Sequence, residues 1–301
     1  MSLRFSQGVV NNVAIGEGWG DVVKNSVCVV YSGSQPATPE VAATVGTELV
    51  RFTLASGALT AETRAVAKIV LAAYDATSNV VNLGLNVGAS AVVSLTGGNV
   101  TGYASLALFT QATVDAINNN WTYPDFRAVM GGAVVGSVTY GTAGAGEFYV
   151  IAPKNSGTAF NTATITFANT VITADINGGG TPTTTETAAF APGTGGSTAG
   201  VAAVNGLTMT YPASAGAISN YGVWSGVASA TGTAGWFRIL GTPNYDTGLT
   251  TLSTSGNDTL FQMRIDGTVG TSGADMIVTS TAVTSAVTQT VSSFALTVPS
   301  A

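Results

Sequence analysis

Histidine is missing from this chain of 301 residues, cysteine occurs once, and only 8% of the residues carry a charge, against about 25% in ordinary domains. Without histidine the usual proton carrier near neutral pH is gone, and with it the nucleophilic triads that depend on one. The lone Cys28 has no partner for an internal disulfide. It stands in Val27-Cys28-Val29-Val30-Tyr31, the setting of a small buried hydrophobe, where nothing lowers its pKa. Lysine and arginine together number nine, none closer in sequence than Arg64 and Lys68, and the formal net charge is −6. Nucleic-acid binding needs a cationic patch, so that class of partner is excluded.

Long apolar runs are scarce as well. The uncharged stretch 128–146 is broken by Gly131, Gly132, Gly136, Gly141 and Gly144, which is poor material for a membrane-spanning helix, and no membrane partner is expected. The opening Met1-Ser2-Leu3-Arg4-Phe5-Ser6 has one cation and no apolar core of the secretory type. The expectation is therefore synthesis in a cytoplasm, with no leader and no lipid anchor.

What the chain does contain is alanine, valine, threonine, serine and 38 glycines, a composition of β-branched strands separated by turns. Val27, Val29 and Tyr31 share one face of an expected strand that Ser32-Gly33-Ser34-Gln35-Pro36 breaks. Val50, Phe52 and Leu54 alternate in a second strand. Near the other end, Phe237 and Ile239 alternate with Trp236 and Arg238, then Phe261, Met263 and Ile265 with Gln262 and Arg264, then Phe294, Leu296 and Val298 with smaller residues. These read as half-buried antiparallel strands, with Asp266-Gly267 as a turn after the second. Short helices are expected over 7–15 and 113–119, and the spacing of Val66, Ile69, Val70, Ala73 and Tyr74 predicts another. Strands are expected at 148–151 and 163–172.

The fold class expected is mainly β: an antiparallel sandwich or jelly-roll-like domain built from both chain ends, with a second β-rich domain inserted. Residues 1–60 and 201–301 form the discontinuous domain and 61–176 the insert. The low-complexity run 177–200, with Gly178-Gly179-Gly180-Thr181-Pro182-Thr183-Thr184-Thr185, is a linker or loop.

The ends of the chain resemble a family of tailed-bacteriophage virion proteins. The likeness is carried by Leu3-Arg4-Phe5-Ser6, by Val30-Tyr31-Ser32-Gly33-Ser34-Gln35-Pro36-Ala37 with Gly46-Thr47-Glu48-Leu49-Val50, by Gly232-Thr233-Ala234-Gly235-Trp236-Phe237-Arg238, and by the run from Arg264 to Asp275. It covers 1–60 and 201–301, so the middle of the chain stands as an insertion. The resemblance implies a structural product of head or tail genes, located in the virion. It carries no catalytic motif and so no functional residues.

Lys24-Asn25-Ser26 is the nearest approach to a Ser-Lys pair. Asp246, Asp258, Asp266 and Asp275, with Trp224, Trp236 and Tyr245, are the material for a carboxylate-pair glycosidase, though Asp246 and Asp258 sit in turn sequences where Asp binds its own backbone. Asp266 and Asp275 flank a glycine-rich loop without the spacing of a calcium loop. Trp121, Tyr123 and Phe126 form the aromatic cluster of the middle stretch, a contact for a partner or glycan if exposed. No cofactor is expected, nor any metal or catalytic residue.

The function expected is a non-enzymatic virion component, a capsid decoration protein binding copies of itself and other virion proteins. A tail tube or a receptor- or glycan-binding module, with a host-surface glycan as partner, is the alternative, and a polysaccharide depolymerase the remote one. Low charge removes repulsion and desolvation cost at subunit contacts.

Overall fold

The structure, a computed structural model, describes residues 3–14, 16–44, 46–72, 83–87, 90–95, 103–120, 125–135, 138–169, 172–177, 180–190, 199–210, 217–241, 248–252, 254 and 261–297. In chain order the elements are β1 (Arg4–Phe5), α1 (Gln7–Ala14), α2 (Trp19–Val23), β2 (Val27–Ser32), β3 (Glu48–Leu54), β4 (Val66–Ala72), β5 (Leu83–Val87), β6 (Ser90–Leu95), α3 (Leu106–Asn118), β7 (Arg127–Met130), β8 (Val134–Val135), β9 (Val138–Thr139) and β10 (Glu147–Ile151). There follow β11 (Thr164–Ala168), β12 (Thr173–Ile176), β13 (Thr185–Ala189), β14 (Thr208–Thr210), β15 (Ala217–Tyr221), β16 (Trp224–Val227), β17 (Gly232–Leu240), β18 (Arg264–Gly270), β19 (Met276–Val278), β20 (Ala282–Val283) and β21 (Thr288–Thr297). The chain is mainly β, as its composition leads one to expect. It divides into two compact units: Met1–Glu62, Val135–Ser137 and Ala203–Ala301 form the first, Thr63–Val134 and Val138–Ala202 the second.

In the first unit the hydrogen-bonded path β18-β17-β2-β3-β16-β21 returns on itself, because β19 pairs β18 in parallel and β21 antiparallel. The ladder is thus closed into a barrel, which leaves these strands few open edges. One core holds Cys28, Val30, Phe52, Trp224, Phe237, Ile239, Ile265 and Phe294. Residues of the opposite parity on β2 and β17 (Val27, Val29, Tyr31, Trp236 and Leu240) form a second cluster with Ala43. Since neighbouring residues in a strand point to opposite faces, β2 and β17 are buried on both sides, where half-buried strands were expected. Tyr31 stacks on Trp236 with ring centroids 4.5 Å apart, a contact worth about 0.5–1.5 kcal/mol beyond its buried area.

Between β2 and β17 the register shifts by a bulge around Gly235. A Cβ at Gly235 would lie 2.2 Å from the Gly33 carbonyl oxygen, so the close approach of the two backbones demands glycine there. Asp266-Gly267, expected as a turn, instead lies inside β18. The Phe237 ring occupies the space beside Gly267, within 2.6 Å of where a Cβ would stand.

The second unit has two four-stranded antiparallel sheets, ordered β12-β4-β10-β7 and β13-β11-β5-β6. Their shared core contains Ile69, Phe109, Ile117, Phe126, Phe148, Phe167, Ile176 and Phe190. Helix α3 packs chiefly against β7. Ser105 caps it, its Oγ accepting from the Leu108 N–H at 3.3 Å, and so starts the helix well before the 113–119 expected. The stretch Val66–Ala72, where a helix was expected, is the central strand β4. The linker expected over 177–200 contains β13, whose threonines and alanines pair with β11 from Thr164↔Ala189 to Ala168↔Thr185.

Candidate functional site

Four of the chain's nine basic residues (Arg64, Arg127, Arg238 and Arg264) are buried, which is rare for arginine unless its donors are satisfied. In the first unit the cross-strand register explains the arrangement. Arg4 stands opposite Asp266 across β1 and β18, and Arg238 opposite Asp266 across β18 and β17, so the three side chains share one face. Arg238 donates from Nε to Asp266 Oδ1 at 2.8 Å and from Nη2 to Oδ2 at 2.7 Å, while its Nη1 reaches the carbonyls of Val41 and Gly248 at 3.0 Å each. Arg264, two residues before Asp266 on the same face, donates to the carbonyls of Pro39, Glu40 and Thr250. Arg4 donates to those of Pro36 and Ala37. The guanidinium of Arg238 also lies 5.4 Å from the Trp236 ring centroid.

Three arginines thus hold segments 36–41 and 248–250 by their backbone carbonyls, and Asp266 fixes the Arg238 guanidinium among them. Burial raises the Asp266 carboxyl above its ordinary range, and the Arg238 fork with the charges of Arg264 and Arg4 offsets that only in part. Both its oxygens are engaged by Arg238. The arrangement is a structural tie, and its chemistry is that of a fixed ion pair.

The carboxylates considered for glycosidase chemistry separate accordingly. Asp275 Oδ2 accepts from the Thr268 N–H at 2.9 Å and the Thr268 hydroxyl at 2.8 Å, closing the loop after β18. Trp224 and Trp236 are wholly buried and offer no sugar a stacking face. Asp246, Asp258 and Tyr245 lie outside the described residues. Ser26 is buried beside an exposed Lys24. Cys28 is enclosed in the barrel core, and burial, joined by the Asp266 charge, pushes its thiol pKa far up.

In the second unit, Lys68 on β4 and Tyr149 on β10 converge on Glu147. Lys68 Nζ lies 2.9 Å from Glu147 Oε2, and the Tyr149 hydroxyl donates to Oε1. Burial and this bond both raise the Tyr149 pKa, which keeps the phenol protonated, the opposite of an activated nucleophile. Of the aromatic cluster, Phe126 is core: it is 4% exposed and meets the Phe160 ring edge-on at 5.5 Å. Its expected role as a partner or glycan contact is overturned by that burial. Trp121 and Tyr123 lie outside the described residues.

Apolar side chains remain on the surface of the first unit. Tyr221, Val223 and Val227 are more than half exposed, and Val287 nearly so. Val287 lies beside Val227, since the Ala228 N–H donates to the Val287 carbonyl at 3.0 Å. Among the described residues no helix is long and apolar enough to cross a membrane.

No family model, curated protein or solved structure matches this chain.

Proposed function

We propose that this chain is a non-enzymatic structural component of a tailed-phage virion, a decoration protein on the head surface. It acts by contact with copies of itself and with the capsid protein beneath. The observation that carries the reading is the placement of charge. Arg64, Arg127, Arg238, Arg264 and Asp266 are buried, so a chain already poor in ionisable groups spends several of them inside. Among the described residues the most exposed charges are Asp21, Lys24, Asp115 and Asp125, set among threonine, serine and valines such as Val227 and Val287. Such a surface can be buried against a neighbour with little desolvation cost and few wrong charge pairs.

The test is to label the chain in intact particles and image them, alongside sedimentation of the purified protein. Label over the head at regular lattice positions, with concentration-dependent self-association, is the expected result. Label confined to the tail tube or to fibre tips would replace decoration by a tail role. A monomer absent from purified particles would overturn the virion reading altogether.

A further inference from the structure

Exposed apolar side chains of the first unit gather on one side of one sheet. β15 and β16 both pair antiparallel with β21: β15 near its end, with Ser219 opposite Ala295, and β16 near its start, with Ser225 opposite Thr290 and Val227 opposite Thr288. Gly222, at φ +71°, makes the bend between the two. Along β21, Val291, Phe294 and Leu296 are buried, while Thr288, Thr290, Ser292, Ser293 and Ala295 are exposed. Residues directly opposite one another share a side of the sheet, and so do residues two apart along a strand. Val227 therefore stands on the outward side with Thr288, and Tyr221, opposite Thr208 of β14, stands there with Ser219. Ile277 of β19, opposite Ser293, borders the same side.

These strands contribute no charge. No Asp, Glu, Lys or Arg occurs from 187 to 237 or from 276 to 301, the runs that hold β14, β15, β16, β19 and β21. On the adjoining β3, Arg51 is neutralised by Glu48 at 3.0 Å. What faces outward is of two kinds. Tyr221, Val223 and Val227, each more than half exposed, are apolar; the threonines and serines carry hydroxyls, which both donate and accept. A surface of that composition is its own complement, since hydroxyl meets hydroxyl in either sense and apolar groups meet one another. With β21 ten residues long and four strands abreast, it measures about 33 by 19 Å, roughly 600 Å² before side-chain relief is added, against the ~800 Å² of accessible surface that each partner gives to a standard interface. A formal net charge of −6 makes two copies repel where charged surfaces meet, and an uncharged side is where they can approach.

We propose that two copies of this chain pack the outward side of β14, β15, β16 and β21 face to face about a twofold axis, burying Tyr221, Val223 and Val227 of both. Such a contact uses the same patch on each partner and so closes at two copies. Sheet lies against sheet, as in the interior of a sandwich. The inference rests on the reading that the chain works by contact with copies of itself, and it names the surface used.

The test is sedimentation equilibrium of the purified full chain beside Tyr221→Lys and Val227→Lys, each of which puts an ammonium into the contact from both copies, and Val10→Lys, at an exposed valine on α1, as the control. The expected result is a dimer for the wild type and for Val10→Lys, with the dissociation constant raised at least about a hundredfold in the other two and one circular dichroism spectrum for all four. Added salt should tighten the wild-type dimer, because it screens the repulsion between two acidic chains. A monomer at every concentration, an assembly of another order, a dimer that either Tyr221→Lys or Val227→Lys retains, one that Val10→Lys loses as well, or one that salt dissolves would each overturn the proposal. The virion reading is decided separately, by where the label lies on intact particles.

Discussion

Asp266 receives the guanidinium of Arg238 through two parallel hydrogen bonds, 2.8 and 2.7 Å long, with both side chains wholly enclosed. Removing one partner of such a pair strands the other charge. Arg238→Met should therefore destabilise the first unit by about 3–5 kcal/mol, whereas the double change Arg238→Met with Asp266→Leu should cost markedly less. Urea unfolding followed by the fluorescence of the enclosed Trp224 and Trp236 reads both numbers. A single variant as stable as the double one would show that the ion pair is dispensable.

Acid should weaken the second unit through Glu147. Burial by itself would raise this carboxyl, but the hydrogen bonds from Tyr149 and Lys68 and the Lys68 charge outweigh it, and the group titrates below its ordinary value of 4.5. A carboxyl depressed in the folded state adds stability that is complete above the unfolded value and disappears as pH falls through the folded one. The melting-temperature gap between wild type and Glu147→Gln should stay constant from neutrality to about pH 5 and narrow below it. A gap unchanged at pH 3 would show that the carboxylate is not the source.

Cys28 should be silent toward thiol reagents in the native protein. It is fully enclosed on β2, and its pKa is raised by burial, so neither thiolate nor access is available. Ellman's reagent should react at the rate at which the barrel opens, and stoichiometrically in denaturant. Rapid labelling under native conditions would mean that β2 separates readily from its neighbours.

Local patterns told most about strands with simple surroundings. Val50 and Phe52 on β3, and Phe237 and Ile239 on β17, face the barrel core as their alternation indicates, although on β17 the residues between them are buried as well. Val66 to Ala72 misleads because its spacing fits a helix as well as a strand; long-range pairing with β10 and β12 decides the matter. Asp266-Gly267 has the composition of a hairpin turn, and what keeps it in a strand is a partner 28 residues away. The same holds for the polar network as a whole. Arginine on a strand reads as an outward face, and only the fold supplies the carbonyls of 36–41 and 248–250 that let it turn inward.

The closed ladder interleaves strands from the two ends of the chain, with β2 and β3 lying between β17 and β16. During synthesis β2 and β3 are made first, and their sheet partners beyond residue 203 leave the ribosome only after the second unit has been translated. At about 5–20 residues per second the wait lasts roughly ten seconds to a minute. Over that interval β2 and β3 have only each other, and the outer edge of each lacks its final neighbour, β17 for β2 and β16 for β3. Until then the open edges of β2 and β3 can pair with a neighbouring chain as readily as with their own late strands.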